Sequence, residues 1–486
     1  MNKAASIRTI LRASAIMGMA SVAHILFGMI RIKAAAVLLG PAGVGLIGLM
    51  QSLMTTAAIV ATCGIDTVST RQIATAVEQD RQADVNLARR VLLWAGVALA
   101  LTGGSVFLLL RQVLATHILA DPDMAVTVGW LTVGVVFAVA ASAQVALLNG
   151  LRRIRSLALL KAVTGLVATT IGVVALLLWG GGGVLLFVIA LPLANLAVGQ
   201  VLISRLETSA TGPLIPRGIA RQIGGLAWFG APFMLGSMIT IAGQLVVRSV
   251  VQHDLGPAAL GQFEASWMIS MTYLGFVLGA MATDYFPRLS GQIDNKPAAT
   301  RLVNEQTEVA LILVGPVLIL LMGFAPWVIQ LLYSPEFADA AAILRWQILG
   351  DLLKVMSWPV AFVMLAAGKS RTFLLTELCG TAVFIVAAIV IVPQLGLVGT
   401  GIGFLMMYVC YLPIVFLVAW RTIGFTWSQT NRLRLLLLAV SLLLIFAAAT
   451  WSGAPGTVLS MLLAAAFALQ GYRHLRRISR QPQDLQ

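Results

Sequence analysis

The sequence predicts an all-α polytopic membrane protein made of two pseudo-symmetric six-helix lobes and two further C-terminal helices, about 14 transmembrane helices in all. Three observations predict it. Of 486 residues, 59% are hydrophobic and only 10% charged, and the apolar runs repeatedly reach the roughly 20 residues that a helix needs to cross a bilayer. The stretch LGPAGVG at residues 39–45 returns as LGPAALG at 255–261, a spacing of 216 residues. Carried along without a gap, that offset pairs Trp130 with Trp346, Gly134 with Gly350, Arg155 with Arg371, Gly180 with Gly396, Gly183 with Gly399 and Arg205 with Arg421. Prolines, tryptophans and loop charges recurring in step point to a duplication, the pattern of many transporters. Finally, the net charge of +14 is spread over short loops, which makes it a topology signal and excludes a basic nucleic-acid-binding domain.

Taken in order, the apolar runs place spans near 14–37, 43–65, 90–110, 125–149, 157–178 and 184–204 in the first half. The second half gives 227–250, 262–285, 307–332, 342–367, 373–392 and 397–420, and two more follow near 433–451 and 456–472. The expected organisation is therefore a lobe over 1–210, a second over 211–428, and two added helices with a basic tail over 429–486. Lys3, Arg8 and Arg12 before an apolar run resemble a signal peptide. The repeat matches that run to an apolar span in the second half, so it reads as a retained helix. With the N-terminus inside, 26 of the 32 Lys and Arg fall in inner loops and tails, which orients both termini to the cytoplasm.

Several chemistries find no support. Gly368, Lys369 and Ser370 resemble the end of a phosphate-binding loop, but the first glycine's place is taken by Val363 and the context is a loop between spans. Gly180 to Gly183 falls at an outer turn, where permissive backbone suffices. There is no HExxH, no nucleophile elbow and no soluble cleft for paired carboxylates, so no enzyme, cofactor or metal is expected. Cys63, Cys379 and Cys410 lie in apolar segments without paired spacing and read as packing residues.

The informative residues are ionisable groups inside spans, because a charge at bilayer depth costs several kcal/mol unless it faces a partner or a wet cavity. Ser14, Met17, Ser21, His24, Gly28 and Arg31 share one face of the first span, with Lys33 on a flank. Helix rise puts Arg31 and Lys33 roughly 10–14 Å inward from the turn at Gly40. Arg248 stands at the corresponding depth of the seventh span, on a face continued by Ser237, Thr240 and Gln244. Two readings stand: these cations snorkel to headgroups, or they form an anion site. Gln51, Thr55, Thr62 and Asp66 share a face of the second span, Glu264 opens the eighth, and Asp66 and Asp284 sit close to solvated helix ends. In the tenth span Gln347, Asp351, Lys354 and Trp358 stack on one face, where Asp351 and Lys354 can pair, either structurally or as part of a site. Arg345 and Trp346 suit its outer end. Glu377, opening the eleventh span, reads equally as a partner for the loop of Lys369 and Arg371 or as a titrating site.

LGPAGVG after a span carrying Lys33, GIDTVSTRQIA from Gly64 to Ala74, and RWQILGDLLKV from Arg345 to Val355 together resemble the bacterial lipid-linked oligosaccharide flippases. These are the O-antigen and enterobacterial common antigen translocases of the Wzx type, in the superfamily that includes multidrug extruders and the lipid II flippase. The resemblance covers roughly residues 8–421. It implies two lobes around a central cavity with alternating access, in the bacterial inner membrane. It implies an undecaprenyl-diphosphate oligosaccharide as substrate, the lipid bilayer as environment, and a polysaccharide polymerase complex as partner. It also places His24 where family members carry a lysine, a pH-sensitive exchange. On this reading His24, Arg31, Lys33, Arg248, Arg345 and Lys354 would contact the diphosphate or acidic sugars, and Asp351, Glu264 and Glu377 would be the ion-coupling candidates. A cation-coupled multidrug or metabolite antiporter is the alternative, and the sign of the central cavity's charge discriminates them: cationic for the flippase, acidic for the antiporter. A membrane glycosyltransferase would need a large outer loop, and a passive scaffold would have no use for intramembrane charges.

Overall fold

The computed structural model describes the backbone of residues 3–62, 64–79, 82–205, 216–451 and 453–478. Among them there is no strand. The first half runs α1 (Lys3–Thr62), α2 (Ile65–Glu78), α3 (Gln82–Leu109), α4 (Arg111–His117), α5 (Ala125–Gly150), α6 (Ile154–Trp179) and α7 (Val184–Ser204). The second runs α8 (Pro216–Gln292), α9 (Lys296–Leu332), α10 (Ala340–Ala366), α11 (Ser370–Leu395) and α12 (Val398–Ile423), followed by α13 (Gln429–Trp451) and α14 (Gly453–Ile478). Ten described stretches are long and apolar enough to cross a membrane, and Ile16–Thr62, Ile154–Ser204 and Leu235–Ala282 are each long enough for two crossings. Together with α14 they reproduce the fourteen expected spans.

The duplication is visible in the backbone. Helix α1 breaks at Gly40 (φ 64°, ψ −168°) and α8 breaks at Gly256 (φ 84°, ψ 177°), the same residue of the two LGPA motifs. That conformation is open essentially only to glycine. Shifting α5 and α6 by 216 residues gives 341–366 and 370–395, the ranges of α10 and α11 to within one residue. The C-terminal glycines of α6 and α11, Gly180 (φ 53°) and Gly396 (φ 61°), donate their N–H to Leu176 and Val392, again 216 residues apart.

By packing, the chain separates into two compact units, Met1–His253 and Asp254–Gln486. The repeat boundary near 210 and the packing boundary therefore differ. The first part of α8 belongs to the first unit, where the Ser249 hydroxyl donates to His117 O at 2.9 Å and the Gln252 amide to Leu119 O at 3.3 Å. The core of that unit includes Ile73, Leu92, Leu147, Leu148, Leu160 and Ile203.

In the second unit α13 and α14 lie against α9. A side chain on Gly323 would collide with Ser460 of α14, and one on Gly315 would press Leu438 of α13. The buried Asn431 amide donates to Asn304 O at 2.9 Å, and Asn304 in turn accepts from Ser428 N–H at 2.7 Å. Arg434 pairs with Glu308 at 2.6 Å. Trp346, expected at an interface, instead stacks edge-on against Phe446 of α13 at 5.0 Å. Cys379 and Cys410 are free and exposed rather than packed inside; Cys63 lies outside the described residues.

Candidate functional site

In the first unit, α1 and α6 meet along a seam of polar and small residues seven apart. His24 lies against Gly165 and Arg31 against Gly172, where an added Cβ would stand 3.0 Å from His24 Nδ1 and 3.3 Å from Arg31 Nε. Between them the Thr169 hydroxyl donates to Phe27 O at 3.0 Å. His24 Nδ1 is 3.1 Å from Lys161 O. The Arg31 guanidinium is buried, donates to Phe187 O on α7, and lies 4.1 Å from the centroid of the Phe187 ring. Its Nε has no hydrogen-bond partner. Burial of a guanidinium is tolerated here because a carbonyl and a ring face share its charge. Lys33 is half-buried on the adjacent flank. Arg248 is buried, with its guanidinium 3.3 Å from Gln244 O one turn earlier.

The same unit holds a cavity of about 470 Å³. It opens where α1 gives way to α2, beside the C-terminal half of α5 and the Pro192 turn of α7. Asp66, Thr55, Thr70, Ser142, Asn149 and Asn195 supply its polar lining. Asp66 Oδ1 accepts from Thr67 N–H at 2.9 Å; the hydroxyl of Thr70 donates to Asp66 O at 2.8 Å and that of Ser142 to Val139 O at 2.9 Å. Among the described residues no Lys, Arg or His lines it. The cations singled out from the sequence lie elsewhere.

The second unit contains a filled polar cluster at bilayer depth. Asp351 on α10 is fully buried, and its carboxylate accepts from the Ser270 hydroxyl at 2.8–2.9 Å and from the Tyr273 hydroxyl at 2.5 Å. Both donors come from α8. The expected pairing of Asp351 with Lys354 gives way to these bonds. The Lys354 ammonium rests 3.1 Å from Met271 Sδ, near the rings of Phe404 and Tyr408 at 5.9 and 6.0 Å. Glu377 accepts from the Tyr411 hydroxyl at 2.6 Å, so it is held by α12. Four residues before Asp351, Gln347 is fully buried and neither atom of its amide has a hydrogen-bond partner. A buried unpaired amide is costly. Arg345, half-buried, reaches Met322 O at 3.4 Å. Glu264 is buried beyond the α8 kink; burial, and this carboxylate, push the Tyr333 phenol above its ordinary value.

The structure thus brings Asp351, Lys354 and Glu377 into one aromatic-walled cluster and sets His24 and Arg31 on one seam. Arg345 instead reaches the Met322 carbonyl on α9. Sequence reasoning did not reach Ser270, Tyr273, Tyr411, Asn149 or Asn195, because each matters through a contact made across the fold. A long apolar helix with one hydroxyl is unremarkable until its neighbour is known.

The pattern of polysaccharide biosynthesis proteins is matched over residues 35–342, well over half of the chain. The chain belongs to that family. The chain is 25% identical over 408 residues to the Lipid III flippase of Escherichia coli (strain K12), a match covering 81% of this chain and 94% of that one. The fold resembles the Lipid II flippase MurJ in an inward closed conformation (TM-score 0.69, 11% identity, covering 95% of this chain and 99% of the other). It also resembles an inward-facing multidrug resistance MATE family transporter of the MOP superfamily (TM-score 0.69, 16% identity, 82% and 94%). These fold relatives share the multi-pass helical architecture described above.

Proposed function

We propose that this protein is a flippase that carries an undecaprenyl-diphosphate-linked oligosaccharide from the cytoplasmic to the periplasmic leaflet by alternating access, with both termini cytoplasmic. The observation that carries the reading is near-full-length similarity to a Lipid III flippase, in a chain of the polysaccharide biosynthesis family. Physical chemistry supports it. A diphosphate with several sugars cannot cross hydrocarbon unpaired, and this chain holds cations within its spans at Arg31, Lys33, Arg248, Arg345 and Lys354. His24 adds a titratable group on the seam of Arg31. Asp351 is the favoured coupling residue, because it is a fully buried carboxylate with the unpartnered Gln347 amide one turn away. Glu264 and Glu377 are the further coupling candidates.

The test reconstitutes the protein in liposomes with a fluorescent undecaprenyl-diphosphate oligosaccharide and follows access of an outside quencher. Wild type is expected to accelerate translocation well above empty vesicles. Lys33→Ala and Arg248→Gln should lower the rate at least tenfold while the melting temperature is kept. No acceleration by wild type with any lipid-linked saccharide, together with gradient-driven export of organic cations, would replace this reading with the antiporter.

A further inference from the structure

The cavity of the first unit and the ring cluster of the second occupy the same place in the duplicated fold. Adding 216 to the cavity-lining positions leads to aromatic residues in the second unit: Ala146 becomes Phe362, Ser142 becomes Trp358, and Asn195 becomes Tyr411. Trp358 and Phe362 pack on one another at 4.8 Å and on Tyr285 at 6.0 and 5.6 Å, while Tyr411 packs on Tyr408 at 5.9 Å. At the positions of Asp66 and Asn149 the second unit has Ala282 and Leu365. One copy carries aromatic rings at these positions. The other is open and lined with carboxylate, carboxamide and hydroxyl groups.

We propose that the cavity of the first unit is a binding subsite for neutral sugar residues of the transported headgroup, separate from the cations that would hold its diphosphate. The proposal rests on the flippase reading above and deepens it. Its volume of about 470 Å³ lies in the range of about 300–1,000 Å³ usual for small-molecule sites. Its chemistry excludes the diphosphate: among the described residues the lining has one carboxylate, Asp66, and no cation, which repels an anion. It suits a polyol. The carboxylate accepts hydrogen bonds, and each carboxamide both donates and accepts. The Thr70 and Ser142 hydroxyls spend their hydrogens on backbone carbonyls, so their lone pairs are left to accept from the cavity. Such groups turned into a cavity are satisfied by water or a ligand, whereas Tyr411, the counterpart of Asn195, spends its hydroxyl on Glu377. Alanines at 138, 141 and 146 make the room. Asn149 brings the cavity to within a few residues of the loop of Arg152, Arg153 and Arg155, which with both termini cytoplasmic is on the side where the headgroup is loaded.

The test uses the lipid-linked saccharide fraction from the membranes of the source organism, and the free saccharides released from it by mild acid, which cleaves the diphosphate linkage. Binding of the free saccharides and of undecaprenyl diphosphate without sugar is measured on the full-length protein in nanodiscs. Three forms are compared: wild type, Asn195→Leu, and Ala146→Phe, which introduces the ring of the other copy. Free saccharide should bind wild type and weaken at least tenfold in both variants, while binding of undecaprenyl diphosphate stays within twofold. Asn195 is only half-buried, so that variant keeps the result readable if the phenylalanine disturbs folding. Saccharide binding unchanged in Asn195→Leu, parallel loss of undecaprenyl diphosphate binding, or no binding of free saccharide to wild type would each overturn the subsite. Wild type that translocates the intact lipid while either of the first two holds keeps the flippase and loses only the subsite. Wild type that neither binds nor moves the intact lipid fails the flippase reading itself.

Discussion

Helices α5 and α10 are the same helix in two copies, yet one is apolar where the other is charged. Leu131, Val135 and Ala138 of α5 stand at the positions of Gln347, Asp351 and Lys354 of α10, and Ala57 of α1 at that of Tyr273 of α8. Val135 is fully buried, while Asp351 is just as buried but accepts from two hydroxyls, that of Ser270 lying within reach of both carboxylate oxygens. Lys161 of α6 likewise corresponds to Glu377 of α11. The scaffold fixes where a helix lies and which of its faces turns inward. It leaves open whether the buried positions carry carbon or charge, so the ionisable cluster belongs to the residues of one copy and not to the fold.

Exchanging the two positions tests that statement with the largest expected effects. Val135→Asp would put a carboxylate at a fully buried position, and an uncompensated buried charge costs roughly 3–5 kcal/mol. Asp351→Leu should cost about 2–5 kcal/mol, because the Ser270 and Tyr273 hydroxyls are each left without an acceptor. Adding Ser270→Ala and Tyr273→Phe to Asp351→Leu removes those stranded donors and should recover more than half of the loss. Unfolding in detergent reads all three. A triple variant no more stable than Asp351→Leu would mean that the carboxylate acts on the fold through something other than these bonds. If the triple variant is stable, its transport under an imposed cation gradient isolates any coupling role of Asp351 from its structural one.

A smaller and symmetric effect is expected at the two kinks. Gly40 and Gly256 share one strained backbone conformation, for which a residue with a Cβ costs of order 1–3 kcal/mol. No heavy atom lies within 4 Å of a Cβ at Gly256, so at that position the cost is conformational alone. Gly40→Ala and Gly256→Ala should therefore lower stability by similar amounts, within about 1 kcal/mol of each other on the same scale. A loss confined to one of them would show that only that break matters to its unit.

The kinks also mark how much was legible in advance. Fourteen spans and the duplication could be read from apolar run length and from rare residues in step, because glycine at a positive φ and proline at a turn are demanded by backbone geometry alone. The polar face of Gln347, Asp351 and Lys354 was readable from helical spacing. Its partners were not, since Ser270 and Tyr273 reach Asp351 across about 80 residues of sequence. The cavity escaped notice for a different reason. It is made by alanines, and a missing side chain leaves no mark in one sequence until its larger counterpart, Phe362 for Ala146, is set beside it. The seam of His24 and Arg31 was half visible: the seven-residue step was plain on α1, and the answering Gly165 and Gly172 on α6 were not connected to it.

The smallest expected effect lies at another matched pair of positions. Arg152 follows α5 with φ 52°, and its counterpart Gly368 follows α10 with φ 66°. An L-residue in the left-handed region costs roughly 1–2 kcal/mol that glycine does not incur. Arg152 offsets part of that through an ion pair with Glu78, but both side chains are more than half exposed, and such pairs contribute about 0–1 kcal/mol. Arg152→Gly should therefore be neutral or stabilising by up to about 1 kcal/mol, while Gly368→Ala, where no neighbour would touch the new methyl, should cost about 1–2 kcal/mol. High salt sharpens the comparison, because it screens the Arg152–Glu78 pair and leaves backbone strain unchanged. Arg152→Gly should then gain stability relative to wild type as salt is raised. A clear loss at every salt concentration would mean that the arginine holds the α5–α6 turn through more than this exposed pair, at the mouth of the cavity that Asn149 lines.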